Sequence, residues 1–120
     1  MRVAVTADGK DLSANVDARF GRAPYFLVVD TEAGLVDAHD NTLNQQAAQG
    51  AGIQSGQKVA GLGVEAVITG NVGPKAFTVL QAAGIKVFRT GGGTVQEAVE
   101  QLKAGTLAAA DQANVSGHWF

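Results

Sequence analysis

The stretch Ala66-Val-Ile-Thr-Gly-Asn-Val-Gly-Pro-Lys-Ala-Phe77 carries the clearest chemical signal in the chain. Its apolar run stops at Gly70 and reads as a buried strand entering a turn. Pro74 suits the first turn of a helix, where a missing N–H costs nothing. A strand, a glycine turn and a helix start so close together leave the first helical N–H groups facing outward. That chemistry is anion binding. Asn71, Val72 and Gly73 build the turn, and Lys75 adds a positive charge. Gly84-Ile-Lys-Val-Phe-Arg-Thr-Gly-Gly-Gly-Thr94 repeats the plan. It puts Arg89, then Gly91, Gly92, Gly93 and Thr94, between a second strand and a second helix start.

Catalytic chemistry finds little support. The chain has no cysteine, which removes thiolate nucleophiles, zinc–thiolate sites and cysteine-held iron–sulfur clusters together. His39 and His118 are the only histidines and the only weak candidates for direct metal ligation. A two-metal nuclease needs several converging carboxylates, and Asp8 stands alone. Neither a Walker loop nor a Gly-x-Gly-x-x-Gly after a strand occurs. Ser13, Ser55 and Ser116 lack a recognisable base partner. The residues describe a binding site.

Several elements must position this site. Arg2–Thr6 reads as the first strand, and Ala7–Ala23 as a long polar loop of the length that is often functional. Tyr25–Asp30 and Leu35–His39 form a hairpin. Asp40–Gln49 is polar and irregular at first, and a helix follows from Ile53 to about Leu62. Gly56 inside that helix implies close packing. Further helices are expected over Pro74–Ala83 and Val95–Ala104, the latter opened by a Thr94-x-x-Glu97 capping box. Gly84 and Gly105 sit where helix-ending glycines belong. These elements give a five-stranded mixed α/β sheet with one antiparallel strand, covered by helices. The loops after the first, third, fourth and fifth strands share one edge, where ligands of open α/β sheets collect.

The composition sets the outer bounds. With 120 residues, 46% apolar and 17% charged, the chain is one globular domain with a real core. A net charge of -2 gives no reason to expect nucleic-acid or membrane partners. No run of about 18 apolar residues and no signal-peptide layout occurs, so a cytoplasmic location is the expectation. Residues 1–107 form the expected domain and 108–120 a tail, in which Leu107–Ala110 either prolongs the last helix or covers the sheet.

Phe20-Gly-Arg-Ala-Pro-Tyr-Phe26, Gly50-Ala-Gly-Ile53, Val67–Phe77 and Ala83-Gly-Ile-Lys-Val87 together resemble the dinitrogenase iron–molybdenum cofactor biosynthesis family. That family includes NifX, the C-terminal part of NifB and small stand-alone relatives. The resemblance runs from about Arg2 to Leu107. It implies a ribonuclease H-like three-layer α/β/α fold and a non-enzymatic carrier of a molybdenum-containing metal–sulfur cluster, with partner proteins for delivery. Stand-alone relatives in sulfate-reducing bacteria imply a mixed molybdenum–copper sulfide held without covalent attachment. Carried over by position, the cluster-binding residues are Arg19 and Arg22 around Phe20-Gly21, then Asn71, Gly73 and Lys75, then Gly91–Thr94; Val72 in the first turn and Arg89 at the sheet edge join them by their place in the chain. The turns would cradle the anion and the arginines would form a mobile lid. A regulatory or adaptor module without a cluster, and a metal-dependent nuclease, are the competing readings.

Overall fold

The computed structural model describes residues 1–46 and 50–113. Six strands form one sheet in the order β3-β2-β1-β4-β5-β6. These are β1 (Arg2–Ala7), β2 (Tyr25–Asp30), β3 (Gly34–Asp40), β4 (Ala66–Thr69), β5 (Lys86–Arg89) and β6 (Ala108–Ala110). Strands β1, β4 and β5 pair in parallel, while β2 runs antiparallel to both β1 and β3. The carboxyl ends of β1, β3, β4 and β5 therefore meet at one edge.

The expectation of five strands with one antiparallel is corrected by β6, which pairs antiparallel to β5 with Ala108 opposite Arg89. Leu107–Ala110 thus neither prolongs the preceding helix nor lies over the sheet. Gly105 ends that helix in the left-handed conformation at φ 74°, and the Thr106 N–H returns to the Gln101 carbonyl at 3.0 Å. The reversed chain then meets the open edge of β5. Three alanines have neither alternation nor β-branching, so their pattern gives no strand signal.

Among the described residues four helices cover the sheet: α1 (Thr42–Gln45), α2 (Ala51–Ala60), α3 (Pro74–Ala82) and α4 (Val95–Ala104). Alternation along the strands divides the core into two layers. On one face Ala4, Phe26, Val28, Val67 and Val87 pack with Val59 of α2 and Phe77 and Leu80 of α3. On the other, Val3, Val5, Leu27, Val29 and Ile68 pack with Val95, Ala98 and Val99 of α4. Strand β4 is buried along its whole length, as a central parallel strand requires.

Two glycines bring backbones into contact. A Cβ on Gly56 would lie 3.2 Å from the Val79 side chain, so α2 and α3 approach closely there. A Cβ on Gly21 would lie 2.9 Å from the backbone nitrogen of Gly52. That contact seats the 3₁₀ turn Phe20–Arg22 on the start of α2, beside the packed rings of Phe20 and Phe26 at 5.4 Å. Gly21→Ala should therefore lower stability by about 1–3 kcal/mol in urea denaturation, because backbone rather than a flexible side chain must move. An unchanged midpoint would show that the turn is not seated by this contact.

Candidate functional site at the carboxyl edge of the sheet

The segment between β1 and β2 is a strap laid across the carboxyl edge. Near its start Asp8 donates its N–H to the Asn15 carbonyl at 3.1 Å and accepts the Asn15 N–H on Oδ1 at 2.9 Å. Val16 then donates to the Gly93 carbonyl at 2.9 Å. Farther along, Phe20 donates to the Asn71 carbonyl at 3.1 Å, and Asn71 Nδ2 donates to the Ala18 carbonyl at 3.0 Å. Between these ties the strap passes Gly70 so closely that a Cβ there would lie 2.8 Å from the Ala18 Cα.

Beneath the strap lies a cleft of about 210 Å³ lined by Val16, Ala18, Gly70, Asn71, Arg89 and Thr90–Gly92. Arg89 is the one charged side chain in that lining, and its Nε donates to the Gly70 carbonyl at 3.3 Å. Arg89 is itself exposed, and this contact turns its guanidinium toward the β4 turn. Of the residues expected from the sequence, Asn71, Arg89, Gly91 and Gly92 share this cleft.

The remaining expected residues are placed differently. Val72 is fully buried and packs in the α2–α3 core. Gly73 caps α3, accepting the Phe77 N–H at 3.0 Å, and Lys75 is exposed in the first turn. Arg19 is exposed and bridges to Asn71 through the backbone. Arg22 is half-buried and donates from Nη1 to the Gln45 carbonyl at 2.8 Å. That contact ties the 3₁₀ turn to the end of α1.

The start of α4 also departs from expectation. Its N–H groups at Val95 and Gln96 donate to the Ala14 and Leu12 carbonyls of the strap at 2.9 and 3.0 Å. The capping box uses the Glu97 N–H and the Thr94 N–H. Thr94 and this helix start are therefore occupied by the protein itself, because strap carbonyls take two of the four orphan donors and the capping box takes the other two. Backbone N–H groups of Gly73, Lys75 and Ala76, and of Gly91–Gly93, are taken up by no described residue. They are the donors left at this edge.

The acids of the strap serve its turns. Asp11 accepts from the Ser13 N–H at 2.9 Å and from the Ser13 hydroxyl, and Asp17 accepts from the Arg19 N–H at 2.9 Å. Short carboxylates hold their own backbone two residues on in this way. Among the described residues no group of three His, Asp or Glu could hold a metal. His39 on β3 faces Asp37 at 3.4 Å, away from the cleft lining, and His118 lies outside the described residues.

A family model, dinitrogenase iron–molybdenum cofactor, matches residues 1–105. The chain belongs to that family. An uncharacterised protein of Methanocaldococcus jannaschii is 31% identical over 110 residues, covering 89% of each chain. The apo orange protein of Desulfovibrio gigas has the same fold at TM-score 0.90 and 45% identity, with 95% of this chain and 96% of that one covered. A Thermotoga protein named for NifB, solved by NMR, matches at TM-score 0.83 and 45% identity, covering 97% and 98%. No described helix of this family member is long and apolar enough to cross a membrane.

Sequence reasoning missed Val16 and Ala18 as lining residues. Nothing in their types signals a ligand; only the strap's path puts them there. Gly70 did carry a signal, since a glycine after a buried strand permits close backbone approach.

The strap should loosen in acid. Asp11 is held below its ordinary value chiefly by the Ser13 hydroxyl, and Glu97 chiefly by the Thr94 N–H. A depressed carboxylate stabilises the fold above its unfolded value and stops doing so as pH falls through the folded one. The loss therefore begins near the ordinary values of 3.8 and 4.5 and completes below them. Protection factors at Ser13 and Thr94, which divide out the intrinsic pH dependence of amide exchange, should fall over that window and stay flat above it; flat protection throughout would remove both carboxylates from the strap's support.

Proposed function

We propose that this family member is a non-enzymatic carrier for a molybdenum-containing metal–sulfur cluster, held without covalent bonds at the carboxyl edge of the sheet. The observation that carries the reading is the character of the donors there. The edge offers backbone N–H groups and the Arg89 guanidinium, and the chain has no thiol. A cluster that brings its own sulfide ligands is an anion and needs hydrogen-bond donors more than protein ligands. Charge-assisted N–H contacts from a guanidinium and from peptide groups are the strong kind. A mixed molybdenum–copper sulfide meets this description, and the 45% identity to the orange protein supports the choice.

In this reading Arg89 and the Gly91–Gly92 turn hold the anion, while Asn71 aligns the strap above it. Val16 and Ala18 give the roof an apolar inner surface, which limits water and strengthens the electrostatic contacts. Lys75 and Arg19 contribute from the exposed rim, where solvent weakens each of them. Residues 1–107, together with the edge strand β6 that pairs with β5, act as the cluster-binding unit, and other proteins deliver and collect the cargo.

Anaerobic reconstitution with tetrathiomolybdate, with and without copper, tests the reading. Wild type should retain a visible chromophore and a fixed molybdenum content per chain after desalting. Arg89→Ala should weaken retention by about tenfold, as expected for a charge-assisted contact of roughly 1.5–3 kcal/mol partly screened at the surface. Retention no greater than that of an unrelated acidic protein would reject the carrier function. Equal retention by Arg89→Ala would remove the cleft from the site.

A further inference from the structure

Two threonines are fully buried at the ends of the central strands β1 and β4. Thr6 and Thr69 lie beneath the strap, and their hydroxyl oxygens are 3.0 Å apart. Thr6 Oγ1 also lies 2.8 Å from the Asp17 carbonyl oxygen. A hydroxyl has one proton. Only a hydroxyl can donate to the carbonyl, so Thr6 gives its proton to Asp17 and accepts the Thr69 proton. The order is fixed: Thr69 hydroxyl to Thr6 hydroxyl to Asp17 carbonyl. Each donor in such a chain polarises the next. The backbone completes the clasp, since the Asp17 N–H donates to the Thr6 carbonyl at 2.9 Å.

We infer that Thr6 and Thr69 are positioning residues that set the height of the strap over the cleft. The carbonyl they hold belongs to the Asp17–Ala18 peptide, and Ala18 is a wall of the cleft. The same Ala18 touches Gly70 from above. Valine has nearly the shape of threonine, and the neighbouring strand positions Val5, Val67 and Ile68 are apolar and fully buried. Two buried hydroxyls at adjacent strand ends therefore have a use other than packing. They fasten the strap at Asp17, between its ties to Gly93 and to Asn71.

For its cargo arm this inference rests on the carrier reading; for its exchange arm it does not. Thr6→Val, Thr6→Ser and Thr69→Val would be compared with Val29→Ala, a core truncation on the opposite face next to Val3. In the ligand-free chain, amide exchange at Asp17 and Phe20 should be roughly three- to tenfold faster in Thr6→Val, the range of one lost hydrogen bond. Thr6→Ser should restore the wild-type rate, Thr69→Val should fall between, and Val29→Ala should show no selective change at these two amides. In reconstituted protein, cluster release should accelerate in the same order. Unchanged exchange in Thr6→Val, or the same acceleration in Val29→Ala, would overturn the inference. A wild type that keeps no cluster would reject the carrier function alone, and the exchange rates would still decide the role of the threonines.

Discussion

The edge of this sheet depends on direct contact between two stretches of backbone. The strap from β1 lies on the turn after β4 with no side chain between them, and Gly70 is the position that permits it. With any Cβ there the strap would rise and the 210 Å³ cleft would lose its roof. The hydrogen bonds from Asn71 to Ala18 and from Phe20 to Asn71 fix the strap along that line of contact. Gly21 against Gly52 repeats the device one turn later. Gly21 and Gly70 serve backbone proximity, a use of glycine distinct from chain reversal.

The same contact redistributes the electrostatics. A helix start is a general anion site only while its N–H groups are free. At α4 they are not, because Leu12 and Ala14 carbonyls and the Thr94–Glu97 box occupy them. What remains positive is the guanidinium of Arg89, steered by the Gly70 carbonyl, the donors of the Gly91–Gly93 turn and of the α3 start, and the exposed side chains of Lys75 and Arg19. The acids Asp11 and Asp17 fall into place as turn supports: each spends its carboxylate on nearby backbone N–H groups of the strap. Carboxylates used in this way shape the strap.

A protein that holds a cluster without ligating it must rely on many modest contacts in fixed positions. Preorganisation matters more in that case than the strength of any one contact. The arrangement here follows this logic. Arg22 anchors a turn, Val72 fills the core, and the two buried threonines fasten the strap. Each acts on the shape of the edge without being a donor to the cargo.

Most of the architecture was legible from local signals. Tyr25–Asp30 and Ala66–Thr69 read as strands from their apolar runs, α3 from Pro74, and α4 from its apolar spacing and capping box. The family was legible from the motifs Phe20–Phe26 and Val67–Phe77. Local signals also gathered Asn71, Arg89, Gly91 and Gly92 at one edge, because parallel strands send their turns the same way. What the sequence left open was everything set by contacts across long separations. The strand Ala108–Ala110 exists because β5 offers an unpaired edge, not because three alanines prefer it. The roles of Ala18, Thr6 and Thr69, and the loss of Thr94 as a ligand donor, follow from where the strap lands. That landing is decided by backbone hydrogen bonds and by space at Gly70, which leave little trace in residue type. Sequence by itself determined the elements, their order and the family; tertiary structure alone decided which donors remain free, since any N–H is available only until another part of the chain reaches it.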